Sequence, residues 1–244
     1  MSKRLKFFLG HLSISLIIVL FVVLLVFIIW YPFPLAKAVG VTHILLMLMM
    51  IDVIVGPVLG WLVYKEGKKT LIMDLTVIIL IQLSALVYGI FTIQQGRPAW
   101  IVFNVDQFEV VRNNEIYHKN IMLAESGFQK SPLLGPKFVA VQFSEDPKQK
   151  QQEMFDEVLN GIFLSQRPER YNDLVKVKVD IQRRAQNLNL LDQYNDQGSV
   201  KEILKKYPQA TSFIPLKANA VDMTVLINTE KGEVIKIVDL RPWK

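Results

Sequence analysis

The stretch LMMIDVIVGPVLG, Leu48 to Gly60, sets an aspartate, Asp52, in the middle of an apolar run. Its reading depends on whether that run lies in water or in lipid. The surrounding chain points to lipid: apolar residues crowd the first hundred of 244 positions, and the remainder has the composition of an ordinary water-exposed domain. Leu9 to Trp30 is free of Asp, Glu, Lys and Arg, and at about 1.5 Å per residue it crosses a hydrocarbon core about 30 Å thick. Second and third spans are expected at 39–63 and 70–91. On an insertion scale a central Asp costs about 2.5–3.5 kcal/mol, and each Leu, Ile or Val returns about 0.3–0.6. The span containing Asp52 therefore still inserts.

Flanking charge sets the expected orientation. Lys3, Arg4 and Lys6 precede the first span, and Lys65, Lys68 and Lys69 lie between the second and third, whereas the loop YPFPLAKAVG carries only Lys37. Basic flanks stay in the cytoplasm, so the chain after about Gly96 is expected outside it. Ala36 to Ala38, AKA, resembles a signal-peptide cleavage site, but the preceding apolar stretch exceeds the usual 7–15 residues, about the length of a signal h-region. An uncleaved anchor is the preferred reading. The division expected is a three-helix transmembrane domain over 1–96 and an α+β extracytoplasmic domain over 97–244.

The net charge of +6 shrinks beyond the spans: from Arg97 onward 21 Lys and Arg face 19 Asp and Glu, leaving +2. There is no basic stripe interleaved with aromatics, so no nucleic-acid partner is expected. With no cysteine, disulfides and thiol chemistry are excluded.

An ionisable residue within a span raises a functional question. On a helix Asp52 shares a face with Leu45, Leu48, Gly56 and Leu59. Gly56 permits close approach of another backbone, and Pro57 frees a carbonyl nearby. In the third span Gln82, Ala85 and Gly89 share a face, with Ser84 and Tyr88 on another side. One reading has Asp52 bonding Gln82 or Ser84 and holding the helices together; another has this face meeting the helix of a client protein. Proton or ion transport would need an oligomer, since three spans with one buried acid make a poor pathway. His43 lies opposite Asp52 around its helix, and His11 reads as an interfacial residue. Asp74 suits the first turn of its helix, with Thr70 as N-cap.

In the outer domain, WIVFNVDQFEVVR reads as a hairpin or bent strand and KFVAVQFS, Lys137 to Ser144, as a strand. From Pro147 the period becomes helical, with Met154, Phe155, Val158, Leu159, Ile162 and Phe163 on the apolar stripe and Glu153, Asp156 and Glu157 on the expected solvated face. YNDLVKVKVDIQRRAQNL carries conflicting periods; helix is preferred, on the stripe Leu174, Val177, Ile181, Ala185 and Leu188. SVKEILKKY reads as a helix with Ser199 as cap, Glu202 completing a capping box and Pro208 ending it. AVDMTVLINTEKGEVIKIVDL is a hairpin around NTEKG. His118 has no second His at metal spacing, and no nucleophile elbow, zinc-protease motif or phosphate loop is present. No catalytic, cofactor or metal residues are assigned, and the expectation is a non-enzyme.

Several segments together, WYPFP, DVIVGPVLG, GKKTLIMDL, IQLSALVYGI and RPAWIVFNVDQFEVV, resemble the type IV pilin accessory proteins of the TfpX/TfpZ group, relatives of the FimB accessory protein. RPERY, FIPLKAN and the final hairpin agree more loosely. The resemblance implies a three-span inner-membrane protein of Gram-negative bacteria, with its C-terminal domain periplasmic, acting as an accessory factor or chaperone that supports pilin stability or pilus assembly. It implies a type IV pilin as partner and no catalytic set, and leaves a homo-oligomer open. On that basis the pilin-helix contact is expected at Asp52, Gly56, Gln82, Ala85 and Gly89. The alternatives are a membrane receptor, for which the short cytoplasmic parts offer no output module, and a pilin-modifying enzyme.

Overall fold

The computed structural model describes Met1–Lys244 and separates them into two compact units: Met1–Pro32 with Val41–Gly96, and Phe33–Gly40 with Arg97–Lys244.

The first unit contains three helices long and apolar enough to cross a membrane, Lys3–Trp30, Val41–Val63 and Leu71–Gln95. The first is α1 (Lys3–Leu24), capped by the Ser2 hydroxyl accepting from the Leu5 amide at 3.2 Å. It continues as a π-helical turn over Leu25–Trp30. The second helix is interrupted in the middle by another π-helical turn, Ile51–Val55.

The sequence division at residue 96 differs from these units in the loop Phe33–Gly40. Its short helix α2 (Leu35–Val39) ends at Gly40, whose φ of 78° closes the helix in the left-handed region. Leu35 and Ala38 are built into the core of the second unit. The Ala38 carbonyl accepts from the Ala220 and Val221 amides at 2.9 and 3.1 Å, and Lys37 Nζ meets Asp239 at 2.7 Å.

The second helix then runs as α3 (Val41–Met50), the π turn and α4 (Gly56–Val63), and the third is α5 (Leu71–Gln95). The remainder builds an eight-stranded mixed sheet. β1 (Pro98–Asn104) and β2 (Gln107–Arg112) form the expected hairpin, turning at Val105, whose φ is 58°. β3 (Lys137–Val141) lies parallel to β1. After α6 (Pro147–Asn160), β4 (Tyr171–Asn172) adds the edge beside β3. A 3-10 turn at Leu174–Val177 leads into α7 (Lys178–Arg184), and β5 (Gln186–Asn187) follows. The stripe on Val177 and Ile181 is buried as expected, but the helix is cut short because the backbone at Gln186–Asn187 pairs with a strand.

α8 (Gln197–Lys206) is capped by Asp196, not Ser199. The Asp196 carboxylate takes the Ser199 amide at 2.8 Å, so Ser199 sits inside the first turn. Glu202 pairs with Lys206 at 2.8 Å instead of closing a capping box. β6 (Ser212–Lys217), β7 (Met223–Asn228) and β8 (Glu233–Val238) complete the sheet, and the last two form the expected hairpin. The full order is β4-β3-β1-β2-β6-β7-β8, with β5 also on β6.

Both faces of the sheet are covered. Ile101, Phe108, Ile214 and Val225 meet Ala38 and Ile181 on one face. Trp100 and Val102 meet Leu164 and Tyr171 in a second cluster, and Phe213 and Leu226 meet Leu191 and Leu240 in a third.

Since Ala38 is fully enclosed, Ala38→Leu is expected to destabilise the second unit by about 1–3 kcal/mol through overpacking. Lys37→Ala, at a pair whose lysine is exposed and whose aspartate is half buried, should cost under about 1 kcal/mol. Thermal unfolding of the full chain in detergent measures both; equal effects would contradict this packing.

Candidate functional site

Asp52, Gly56 and Gln82 converge on a single polar seam. The origin is a backbone defect written into the sequence. In the π turn the Gly56 amide bonds the Ile51 carbonyl, five residues back. The Asp52 carbonyl would next take the amide of residue 57, but Pro57 has none. The Gln82 Nε2 fills that vacancy, donating to the Asp52 carbonyl at 2.9 Å.

The glutamine fits because residue 56 has no side chain: a Cβ there would lie 2.2 Å from the Gln82 Oε1. Gln82 also reaches the first helix, donating to Ser15 Oγ at 3.3 Å and accepting from His11 Nε2 at 3.0 Å. One amide thus bonds to both other helices. Gly60 and Gly89 extend the close packing, since a Cβ would lie 2.9 Å from Phe7 and 2.5 Å from Leu48 respectively. Asp52 is 2% exposed and both carboxyl oxygens are buried without a hydrogen-bond partner.

This geometry corrects several sequence expectations. Gln82 meets the backbone of Asp52, while the Ser84 hydroxyl donates to Leu80 within its own helix. Leu59 is exposed and Gly60 takes its place on the buried face, because the π turn contains more residues per turn than an α-helix and rotates the following stripe. Thr70 stands at the N-cap position but makes no side-chain cap. Its hydroxyl donates to Asp74 at 3.0 Å, and Lys68 meets the same carboxylate at 2.6 Å.

His11, read as a lone interfacial residue, is part of the seam. Of the residues expected to meet a client helix, Asp52 and Gly56 are buried among neighbouring helices, and Gln82, Ala85 and Gly89 are half buried. Among the flanking cations, Arg4 donates to the Trp61 carbonyl at 2.6 Å and stacks on its ring, and Lys3 lies 3.7 Å from Glu66. Both basic flanks therefore gather at one end of the bundle.

The second unit presents the opposite surprise. α6 has its acids inward and its apolar stripe outward. Glu153 Oε1 accepts from Arg170 Nε and Nη2 at 2.8 and 2.6 Å, and Asp156 Oδ2 accepts from Arg167 at 2.7 Å. The Arg167 side chain is buried and lies over the Tyr117 ring. Met154, Phe155, Val158 and Leu159 face solvent, with Val158 81% and Leu159 74% exposed. The expected solvated acid face is thus the seated face, except for Glu157, which is exposed. The reason is that Arg167 and Arg170 need anionic partners beneath the helix, and ion pairs under partial cover dominate its orientation. Covering such apolar side chains would contribute about 1.5–3 kcal/mol each.

Three apolar helices joined by a polar seam, followed by a mixed-sheet domain with an outward apolar helix stripe, define a bundle-plus-domain protein. The chain belongs to the FimB fimbrial assembly protein family. The family model, fimbrial assembly protein FimB, matches residues 1–40. Fimbrial assembly proteins of Dichelobacter nodosus serogroups E1 and I are each 29% identical over 218 residues, covering 86% of this chain and 84% of theirs. The protein of serogroups C1 and C2 is 35% identical over 108 residues, covering 43% of this chain and 82% of its own length. No solved structure matches the chain.

Gln82→Leu is expected to destabilise the bundle by about 0.6–1.7 kcal/mol, the range for polar contacts between spans. The loss should shrink in a Pro57→Ala background, where a backbone donor returns beside the Asp52 carbonyl. Unfolding of the four variants in a double-mutant cycle measures this coupling; strict additivity would contradict the proline argument.

The α6 seat should depend on pH. The Arg167 guanidinium, aided by Gln152 and then Asn160, holds the Asp156 carboxyl below its ordinary value. A depressed folded pKa contributes stability that is present above the unfolded value of about 3.9 and is lost as pH falls through the lower folded value. Hydrogen exchange of α6 amides should therefore show constant relative protection from neutral pH to about 5 and release below about 4.

Proposed function

We propose that this chain is a membrane-anchored, non-catalytic accessory factor of fimbrial assembly, which binds a fimbrial subunit, a type IV pilin, and supports its stability until it is assembled. The three apolar helices span the inner membrane with the N-terminus in the cytoplasm and the mixed-sheet domain in the periplasm. The gathering of Lys3, Arg4 and Lys6 with the Lys65, Lys68 and Lys69 segment supports that orientation. The relatives' names support the assembly role.

The observation that carries the binding role is the reversed α6. An apolar stripe seated away from its own domain by ion pairs, at the cost of exposing Met154, Phe155, Val158 and Leu159, is a surface for another protein. The polar seam around Gln82 has a different part in this reading. It fixes the shape of the spans, and its glycines are already filled by neighbouring side chains.

Val158→Glu is expected to leave the accessory protein at normal abundance while lowering pilin abundance and surface pili severalfold. Arg167→Leu, which removes a cation from the seat, should reduce both the protein and pilin. Immunoblots of the two proteins with counts of surface pili check this. Unchanged piliation with Val158→Glu would sink the α6 reading, and an altered pilin mass in a deletion strain would replace it with a modifying role.

A further inference from the structure

A second outward apolar feature lies in the excursion between β2 and β3. In the segment KSPLLGPK, Leu133 and Leu134 are 68% and 84% exposed. Exposed lysines, Lys130 and Lys137, bracket them symmetrically. The tip is shaped by Gly135, whose φ of 80° turns the chain back at once.

The place of the tip in its own unit is fixed by two observations. The Arg97 Nη2 donates to the Pro132 carbonyl at 3.1 Å, and Lys137 pairs in register with Trp100 near the start of β1. Arg97 is also where the chain leaves the third apolar helix: α5 ends at Gln95, and Gly96 alone intervenes. Two residues span at most about 7 Å. The leucine tip is thus held by the very residue that emerges from the span.

We propose that Leu133 and Leu134 insert into the headgroup and acyl boundary of the bilayer, with Lys130 and Lys137 on anionic headgroups. The inference rests on the membrane-spanning reading of α5. Adjacent exposed leucines between cations match the chemistry of that boundary, apolar below and anionic above. Insertion makes the loop a contact of the outer domain with lipid, separate from the α6 surface.

The absence of native cysteine allows single-site labelling. Leu134→Cys, Val87→Cys in the exposed face of α5, and Val158→Cys in α6 are each labelled with an environment-sensitive fluorophore. The full-length protein is then reconstituted in phosphatidylethanolamine and phosphatidylglycerol vesicles, with and without lipids brominated high on the acyl chains. Expected are a blue-shifted Leu134 probe that loses most of its emission to the brominated lipid, a quenched Val87 probe, and a Val158 probe insensitive to bromine. A quenched Val87 probe with an unquenched, water-like Leu134 probe overturns the loop proposal while leaving the spans intact. A blue-shifted but unquenched Leu134 probe also overturns it, assigning the tip to a protein contact. An unquenched Val87 probe overturns the spanning reading and the loop proposal with it.

Discussion

The three apolar helices depend on one missing backbone proton. Pro57 cannot donate, so the Asp52 carbonyl inside the second helix needs a partner from elsewhere. In a hydrocarbon setting no water is available to supply it. Gln82 supplies it at 2.9 Å and uses its remaining capacity on Ser15 and His11. Gly56 is the complementary condition, because any side chain there would overlap the amide. A defect in one helix thereby determines which face of the third helix must approach it and which residues of the first must lie alongside.

The same exchange of polar for apolar faces recurs in the second unit. α6 is seated by Glu153 and Asp156 on Arg170 and Arg167. The buried Arg167 would keep only the longer 3.6 Å contact to Glu169 if Asp156 turned away, and Arg170 would lose Glu153, whereas the apolar residues on the far side have no such partners to lose. The helix therefore obeys its ion pairs first. Its composition alone gives no warning, since the periodicity of an amphipathic helix says that two faces differ and leaves open which one is inward.

That ambiguity explains what could be read from the sequence. The three long helices, the β1 and β2 hairpin and the β7 and β8 hairpin were legible because their signals are local: uninterrupted apolar length, or alternation around a turn. β6 is not legible as a strand, because Pro215 in SFIPLK argues against a central position, although the strand sits between β2 and β7 and is nearly all buried. The burial of Leu35, Ala36 and Ala38 in the second unit is equally silent, since it depends on partners about 180 residues away such as Ala220. At the seam, Asp52, Gly56 and Gln82 stand out in the sequence as polar or small residues within apolar runs, but the π turn that moves Gly60 inward in place of Leu59 has no signature in the spacing. His11 reads as an interfacial residue because nothing in the spacing shows that its partner, Gln82, lies on another helix.

Two inversions of the usual rule thus have separate origins. In the bundle, polar groups face one another and apolar groups face outward, which is the low-energy arrangement when the surroundings are lipid. In the sheet domain the sheet faces bury apolar side chains, as a water-exposed fold requires, and α6 departs from that order. A helix that breaks its own domain's rule, held by ion pairs to the buried Arg167 and the partly buried Arg170, leaves its apolar stripe in solvent. The departure therefore needs an explanation that the bundle does not, because outward apolar faces are what helices of membrane-crossing length and composition would turn to lipid.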